Sequence, residues 1–156
     1  MLSKLRYTTL QSGLIFFWAV WLTIATTTNL FDALKQLGLL PAGFTFASYN
    51  FTLVKGTLSA HGIPVSVAAI LFAGVILWEM LACGLFWRAW MAIRRHADGR
   101  APEVTQAFIV SLALWAAFLI ATEVTVNYLT AETHKATFIA QLATLMVVRS
   151  NKDPND

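Results

Sequence analysis

The sequence predicts an all-α polytopic membrane protein, a four-helix transmembrane bundle with a short interfacial helix in its first outer loop. Three observations predict it. Of 156 residues, 58% are hydrophobic and only 12% charged, too apolar for a water-soluble unit of that length. Tyr7 to Phe31 is twenty-five residues without Asp, Glu, Lys or Arg, and Val104 to Thr122 is nineteen, whereas about twenty apolar residues cross a bilayer as helix. The basic residues also alternate: Lys4 and Arg6, then Arg88, Arg94, Arg95 and Arg100, then Arg149 and Lys152 share one side if successive spans reverse direction. Positive charge marks the cytoplasmic side, so both termini are expected inside. The net charge of +3 is therefore read as a topology signal and not as a nucleic-acid footprint. The composition argues against a cytosolic enzyme, a disulfide-held secreted module and a disordered chain.

Each span has its own justification. The first, about 10–29, follows a basic start. Its apolar core is nevertheless too long for a cleavable signal, and it carries Phe16, Phe17, Trp18 and Trp21. From Leu30 to Ile63, charged residues, Gly and Pro break the apolar pattern, and a connection of that length rarely stays structureless. Phe44 to Leu58 is the expected interfacial helix. The second span, about 65–87, starts after Pro64, which fits a first helical turn where a missing N–H costs little. The third, about 106–128, follows Pro102 and Glu103, whose carboxylate suits the positive end of the helix dipole. The fourth, about 134–148, is the shortest, and Lys135 and Arg149 would snorkel to let it cross. An interfacial C-terminal helix is the alternative.

Among the polar residues Glu79 is the most informative. Nine residues before Arg88, it lies about 13 Å from the basic end of its span, near the membrane middle. A carboxyl there must face the bundle interior, carry a proton or meet a partner. Glu123 and Asn127 are spaced i, i+4 on one helix face, while Asn29 closes the first span and Asp32 lies just beyond. Antiparallel packing would gather Asn29, Asp32, Glu123 and Asn127 near the outer leaflet, as a polar pocket or as helix caps. Glu79 would sit roughly 12 Å below Glu123, out of direct reach.

The six tryptophans are too many to be interfacial anchors alone. Trp87 sits at a belt position with Trp90; Trp18 and Trp78 are expected deeper, and with Trp21 and Trp115 they are candidates for packing or interface contacts. His61 and His134 both fall at the outer surface and His96 in the inner connection, so no mid-membrane pair exists for a b-type haem. His61 and His134 make at best a weak metal pair, without a supporting motif. The lone cysteine, Cys83, excludes an internal disulfide or a CxxC pair. No nucleotide loop, nucleophile elbow or dinucleotide fingerprint is present, and no catalytic residue or obligatory cofactor is assigned.

Trp18, the N-x-x-D of Asn29 and Asp32, the aromatic connection with Asn50, Phe51 and Val54, and Glu79 together resemble an uncharacterised family of bacterial predicted small integral membrane proteins. Its Asn/Asp element looks like N-N-I-T-D-Y, where this chain has T-N-L-F-D-A. A later element, F-V-x-H-V-L-S-M-D-T, corresponds to T-L-V-K-G-T-L-S-A-H, with Lys55 in place of His and no following acid. The resemblance implies four spans in a bacterial cytoplasmic (inner) membrane and carries no settled activity.

The leading functional expectation is a small accessory subunit, without catalysis of its own, of a larger respiratory, photosynthetic or oxygenase membrane complex. Its partners would be larger membrane subunits and lipid, not nucleic acid. The alternative is a small-molecule- or quinone-binding membrane enzyme, with bound lipid or quinone beside Glu79 or Glu123 and Trp walls. A third is an oligomeric proton or cation pathway using the same two carboxyls. A continuous cavity reaching Glu79 favours chemistry or transport; a tightly packed bundle favours assembly.

Overall fold

A computed structural model describes residues 2–96, 102–128 and 130–150. Arg100 and Lys152, and the side chains of Lys4, Arg6 and His96, lie outside what is described. The described chain is all-α: α1 (Leu2–Gln36), α2 (Asn50–Ala60), α3 (Val65–His96), α4 (Pro102–Val124) and α5 (Ala131–Arg149). Three stretches, Thr9–Gln36, Val65–Arg95 and Pro102–Val124, are long and apolar enough to cross a membrane. The chain is a small, multi-span, helical membrane protein.

Neighbouring helices run antiparallel. Trp87 Nε1 donates to Thr23 Oγ1 at 3.0 Å, and Phe16 packs on Trp90 with ring centroids 5.3 Å apart, which fixes α3 against α1. Phe86 meets Phe108 edge-on at 5.0 Å, fixing α4 against α3. Arg149 donates to Thr105 Oγ1 at 2.6 Å, while His134 stacks on Phe118 at 4.9 Å. These two contacts put α5 antiparallel along α4 for nearly its whole length, about 28 Å for 19 residues. One end of the bundle, here the basic end, therefore holds the start of α1, the α3 and α4 ends bearing Arg94 and Glu103, and Arg149. The far end holds the α1–α2, α2–α3 and α4–α5 connections.

Packing differs between the two ends. In the basic half Ile15, Trp18, Ala19, Leu22, Ala82, Phe86, Ala89, Ile93, Val104, Ala107, Phe108 and Val148 form one buried cluster. Its alanines let the helix backbones approach closely. Gln11 Nε2 donates to the Val148 carbonyl at 2.6 Å and Trp18 Nε1 to Thr144 Oγ1 at 3.1 Å, so α5 is pinned to α1 here. In the far half the core is a smaller cluster of Phe51, Leu58, Ala68, Phe72 and Ile76, made by α2 and the first turns of α3. Space remains between these and α4 and α5. Outward-facing Ile70, Leu77, Ile109, Ile120 and Met146 are all more than 60% exposed, a surface that hydrocarbon, not water, solvates.

Several expected boundaries move. Helix α1 continues seven residues past Asn29, because nothing in Leu30 to Gln36 stops it. The short helix is α2, Asn50–Ala60, not Phe44–Leu58. Phe51 packs on Phe72 at 5.6 Å, Leu58 joins the same cluster and residues 61–64 alone connect the two helices, so α2 follows α3 as an antiparallel hairpin arm. Helix α4 stops at Val124, four residues short of Tyr128.

The stop signals share one geometry. After α1, Gly38 N–H bonds Lys35 O at 3.0 Å and Leu39 N–H bonds Leu34 O at 2.9 Å; after α2, Gly62 N–H bonds Ser59 O and Ile63 N–H bonds Leu58 O, both at 3.0 Å. Both glycines have positive φ, 73° and 72°, as a Schellman cap requires. After α4 the same pair of bonds recurs, Val126 N–H to Glu123 O and Asn127 N–H to Thr122 O, but the left-handed residue is Val126 with φ 51°. A β-branched side chain is strained there. Val126→Gly is expected to stabilise the protein by about 1 kcal/mol, read as a higher thermal unfolding midpoint in detergent. A lowered midpoint would mean residue 126 does not adopt this conformation.

Candidate functional site

The polar centre of the bundle is a chain of three side chains from three helices. Asn29 Nδ2, on α1, donates to both Glu79 oxygens on α3, at 2.9 Å to Oε1 and 2.8 Å to Oε2. Asn50 Nδ2, at the start of α2, donates to Asn29 Oδ1 at 2.8 Å. The order is chemically consistent, since a carboxylate accepts and only the NH₂ of an amide can serve it. Asn29 and Glu79 are each 4% exposed, a depth at which an unpartnered carboxyl would be costly.

Asp32, one turn further along α1 and fully buried, does a related job. Its Oδ2 accepts the Phe51 N–H at 2.8 Å and the Ser48 hydroxyl at 3.4 Å. Helix α2 has no side-chain cap of its own, because Tyr49 stands at its N-cap with φ 62°. A carboxylate from a neighbouring helix thus satisfies one of its orphan donors and complements its dipole. The Ser48 N–H also reaches the Thr28 carbonyl at 3.1 Å, and Lys35 Nζ donates to the Phe44 carbonyl at 2.9 Å. Residues 37–49 consequently fold back toward the bundle, and α2 begins at the level of Asn29.

The other end of α2 is tied to the α4 cap. Asn127 Nδ2 donates to Thr57 Oγ1 at 2.7 Å, and His61 Nε2 lies 3.0 Å from the Thr125 carbonyl. Between these ties and the Asn–Glu chain lies a cavity of about 630 Å³, in the range of small-molecule sites. Glu79, Asn29 and Asn50 line its deep end; Trp21, Phe72, Trp115, Phe118 and His134 line its walls; Thr125, Asn127, Thr130 and Thr133 stand toward the far end. The Trp21 and Trp115 rings are 5.6 Å apart. Trp115 Nε1 and His134 Nδ1 are buried without a hydrogen-bond partner among the described residues.

The expected outer-leaflet quartet is divided. Asn29 joins Glu79, Asp32 caps α2, and Asn127, off the helix because of the Val126 turn, ties to Thr57. Glu123 is exposed, near the Tyr128 hydroxyl at 3.4 Å, and is not on the cavity wall. Glu123 and Asn127 do not share a helix face, because the helix ends between them. Asn29 reaches Glu79 because α1 does not end at Asn29, so that residue is interior to the bundle. Asn50 is part of the centre, and no local pattern announces a partner twenty-one positions away.

The tryptophans divide as well. Trp18 is buried, Trp21 and Trp115 face the cavity, and Trp87 pairs with Thr23. Trp78, in mid-span beside Glu79, is 37% exposed, with Nε1 donating to the Val110 carbonyl at 3.0 Å. His61 and His134 are engaged separately, and no group of three His, Cys, Asp or Glu side chains among the described residues could hold a metal ion. A further polar pair lies deeper: Ser111 and Gln141 are fully buried, without partners among the described residues. The α4–α5 register puts them at one level.

Comparison with family models found no match, and neither the curated proteins nor the solved structures gave one.

Asn29→Ala strands both neighbours and is expected to cost about 1–3 kcal/mol, whereas Asn50→Ala leaves the Asn29–Glu79 contact and should cost about 1 kcal/mol. Glu123→Ala, at the surface, should change stability by less than about 0.5 kcal/mol. Thermal unfolding in detergent micelles ranks the three; equal effects of Asn29→Ala and Glu123→Ala would count against the buried chain.

Proposed function

We propose that this protein binds a small amphipathic molecule, of lipid or quinone size, in the cavity that ends at Glu79. One observation carries the reading: a single cavity is lined both by residues of the α4–α5 connection and by a buried carboxyl that Asn29 of another helix holds in place. Aromatic walls with a few fixed polar groups at one end are the usual make-up of a small-molecule site.

In this reading α5 is a fourth span, supported by its antiparallel course along α4. The basic end faces the cytoplasm by the distribution of Arg, and the membrane is a bacterial inner membrane. The family resemblance through Asn29, Asp32 and Glu79 gains interest because two of these residues form the central contact. Service as an accessory subunit of a respiratory, photosynthetic or oxygenase complex is the second reading. The exposed Phe16, Phe17 and Trp78 would suit a partner, but lipid accounts for them equally. A pathway through both Glu79 and Glu123 is not favoured, since Glu123 lies off the cavity.

The discriminating experiment is purification from the source membrane in mild detergent, with native mass measurement and mass spectrometry of the organic extract. The expected particle contains only this chain and retains a small molecule, which Thr133→Trp, filling the cavity, displaces. Co-purification with larger subunits in fixed ratio, and an extract that Thr133→Trp does not change, would replace this reading with the accessory one.

A further inference from the structure

The charge and shape of the cavity narrow its ligand. Among the described residues that line it, none is Lys or Arg, and Glu79 is the sole acid. The described salt bridge of the chain, Lys135 to Glu132, is an exposed pair within α5. Lys35, the described cation nearest Asn29 in sequence, is committed to the Phe44 carbonyl and to the face of Tyr49, 4.5 Å from the ring centroid, and does not line the cavity. The Glu79 carboxyl therefore has an amide for company and no countercharge. His134, the other titratable group on the wall, is stacked on Phe118 with planes 22° apart.

An anionic head would meet like charge and no basic group. An inorganic cation would find one carboxyl in a space of about 630 Å³, far from the close set of oxygen ligands that such ions need. A neutral hydroxyl or amide head could donate a hydrogen bond to the cavity side of Glu79 but would leave an ionised carboxyl there without a countercharge. An organic cation matches both features of the wall, since its charge can sit at the carboxyl and its alkyl groups against the faces of Trp21 and Trp115, where the ring quadrupole attracts it.

We propose that the molecule held in this cavity is a lipophilic organic cation, an amine or quaternary ammonium whose head lies between Glu79 and the indole pair Trp21 and Trp115. This rests on the small-molecule reading above and adds the charge of the ligand. Asn29 is then a positioning residue: it fixes both carboxyl oxygens and leaves the charge to the ligand.

Benzyltrimethylammonium and neopentylbenzene have the same heavy-atom skeleton and differ in the charged nitrogen; decylubiquinone represents neutral amphiphiles. Saturable binding of radiolabelled benzyltrimethylammonium to the protein in lipid nanodiscs, corrected for empty nanodiscs, is expected. Glu79→Gln should weaken it at least about tenfold, Glu123→Gln should leave it unchanged, and Thr133→Trp should abolish it with the carboxyl intact. Excess neopentylbenzene or decylubiquinone should not displace the label. If Glu79→Gln does not fold, the Thr133→Trp variant and the two competitors still decide. Displacement by the neutral compounds, or equal binding by Glu79→Gln, would overturn the cation while keeping the cavity as a binding site. Absence of saturable binding by the cation and by labelled decylubiquinone alike would overturn both.

Discussion

A carboxyl group far from water must find hydrogen-bond donors inside the protein, because hydrocarbon supplies none. Glu79 meets that demand with one amide on a neighbouring helix, and much of the far half of the bundle follows from it. Asn29 can serve Glu79 only if α1 runs past it and packs antiparallel to α3 at that level. Once its NH₂ is committed, its carbonyl oxygen needs a donor of its own. Asn50 supplies one, and that requires the chain after α1 to return to the same depth before α2 begins. The start of α2 then needs a cap, which Asp32 provides from one turn along α1. A single buried acid thus accounts for the direction of a loop, the starting point of a helix and the burial of a second acid.

The same arrangement explains why the bundle is closed at one end and hollow at the other. In the basic half, alanines on α1, α3 and α4 bring backbones together and large side chains such as Phe86 and Phe108 fill the remainder. In the far half α2 occupies the place along α3, and its polar ties to α4 through Thr57 and His61 hold the two apart without filling the space between. The strained turn at Val126 contributes, since it turns Asn127 off the α4 axis toward Thr57. Positive φ at a β-branched residue persists only where surrounding contacts enforce it, and these contacts border the cavity.

Much of this was legible in the sequence, and for identifiable reasons. Charge-free runs report burial in hydrocarbon directly, so α1, α3 and α4 were visible as apolar segments, and Glu79 stood out because a carboxyl within such a run needs an explanation. Proline before α3 and at the start of α4 marked their beginnings. Helix ends are less legible: the stop after α4 lacks the glycine that marks the other two Schellman caps, so the i, i+4 spacing of Glu123 and Asn127 suggests a shared face that the structure does not have. The pairing of Asn29 with Glu79 depends on how far α1 continues and on the vertical offset of two helices, neither of which composition encodes. The cavity is a property of packing, visible only once α2 is known to follow α3.

The central claim is that Asn29 and Glu79 are bonded in the folded protein, and a double-mutant cycle on stability tests it most directly. Asn29→Ala, Glu79→Ala and the double variant, unfolded under identical detergent conditions, should show an interaction energy of at least about 1 kcal/mol, with the second substitution costing much less once the first is made. Additive effects, within about 0.3–0.5 kcal/mol, would mean that the two side chains do not meet, and the cavity would lose the carboxyl arrangement on which its chemistry rests.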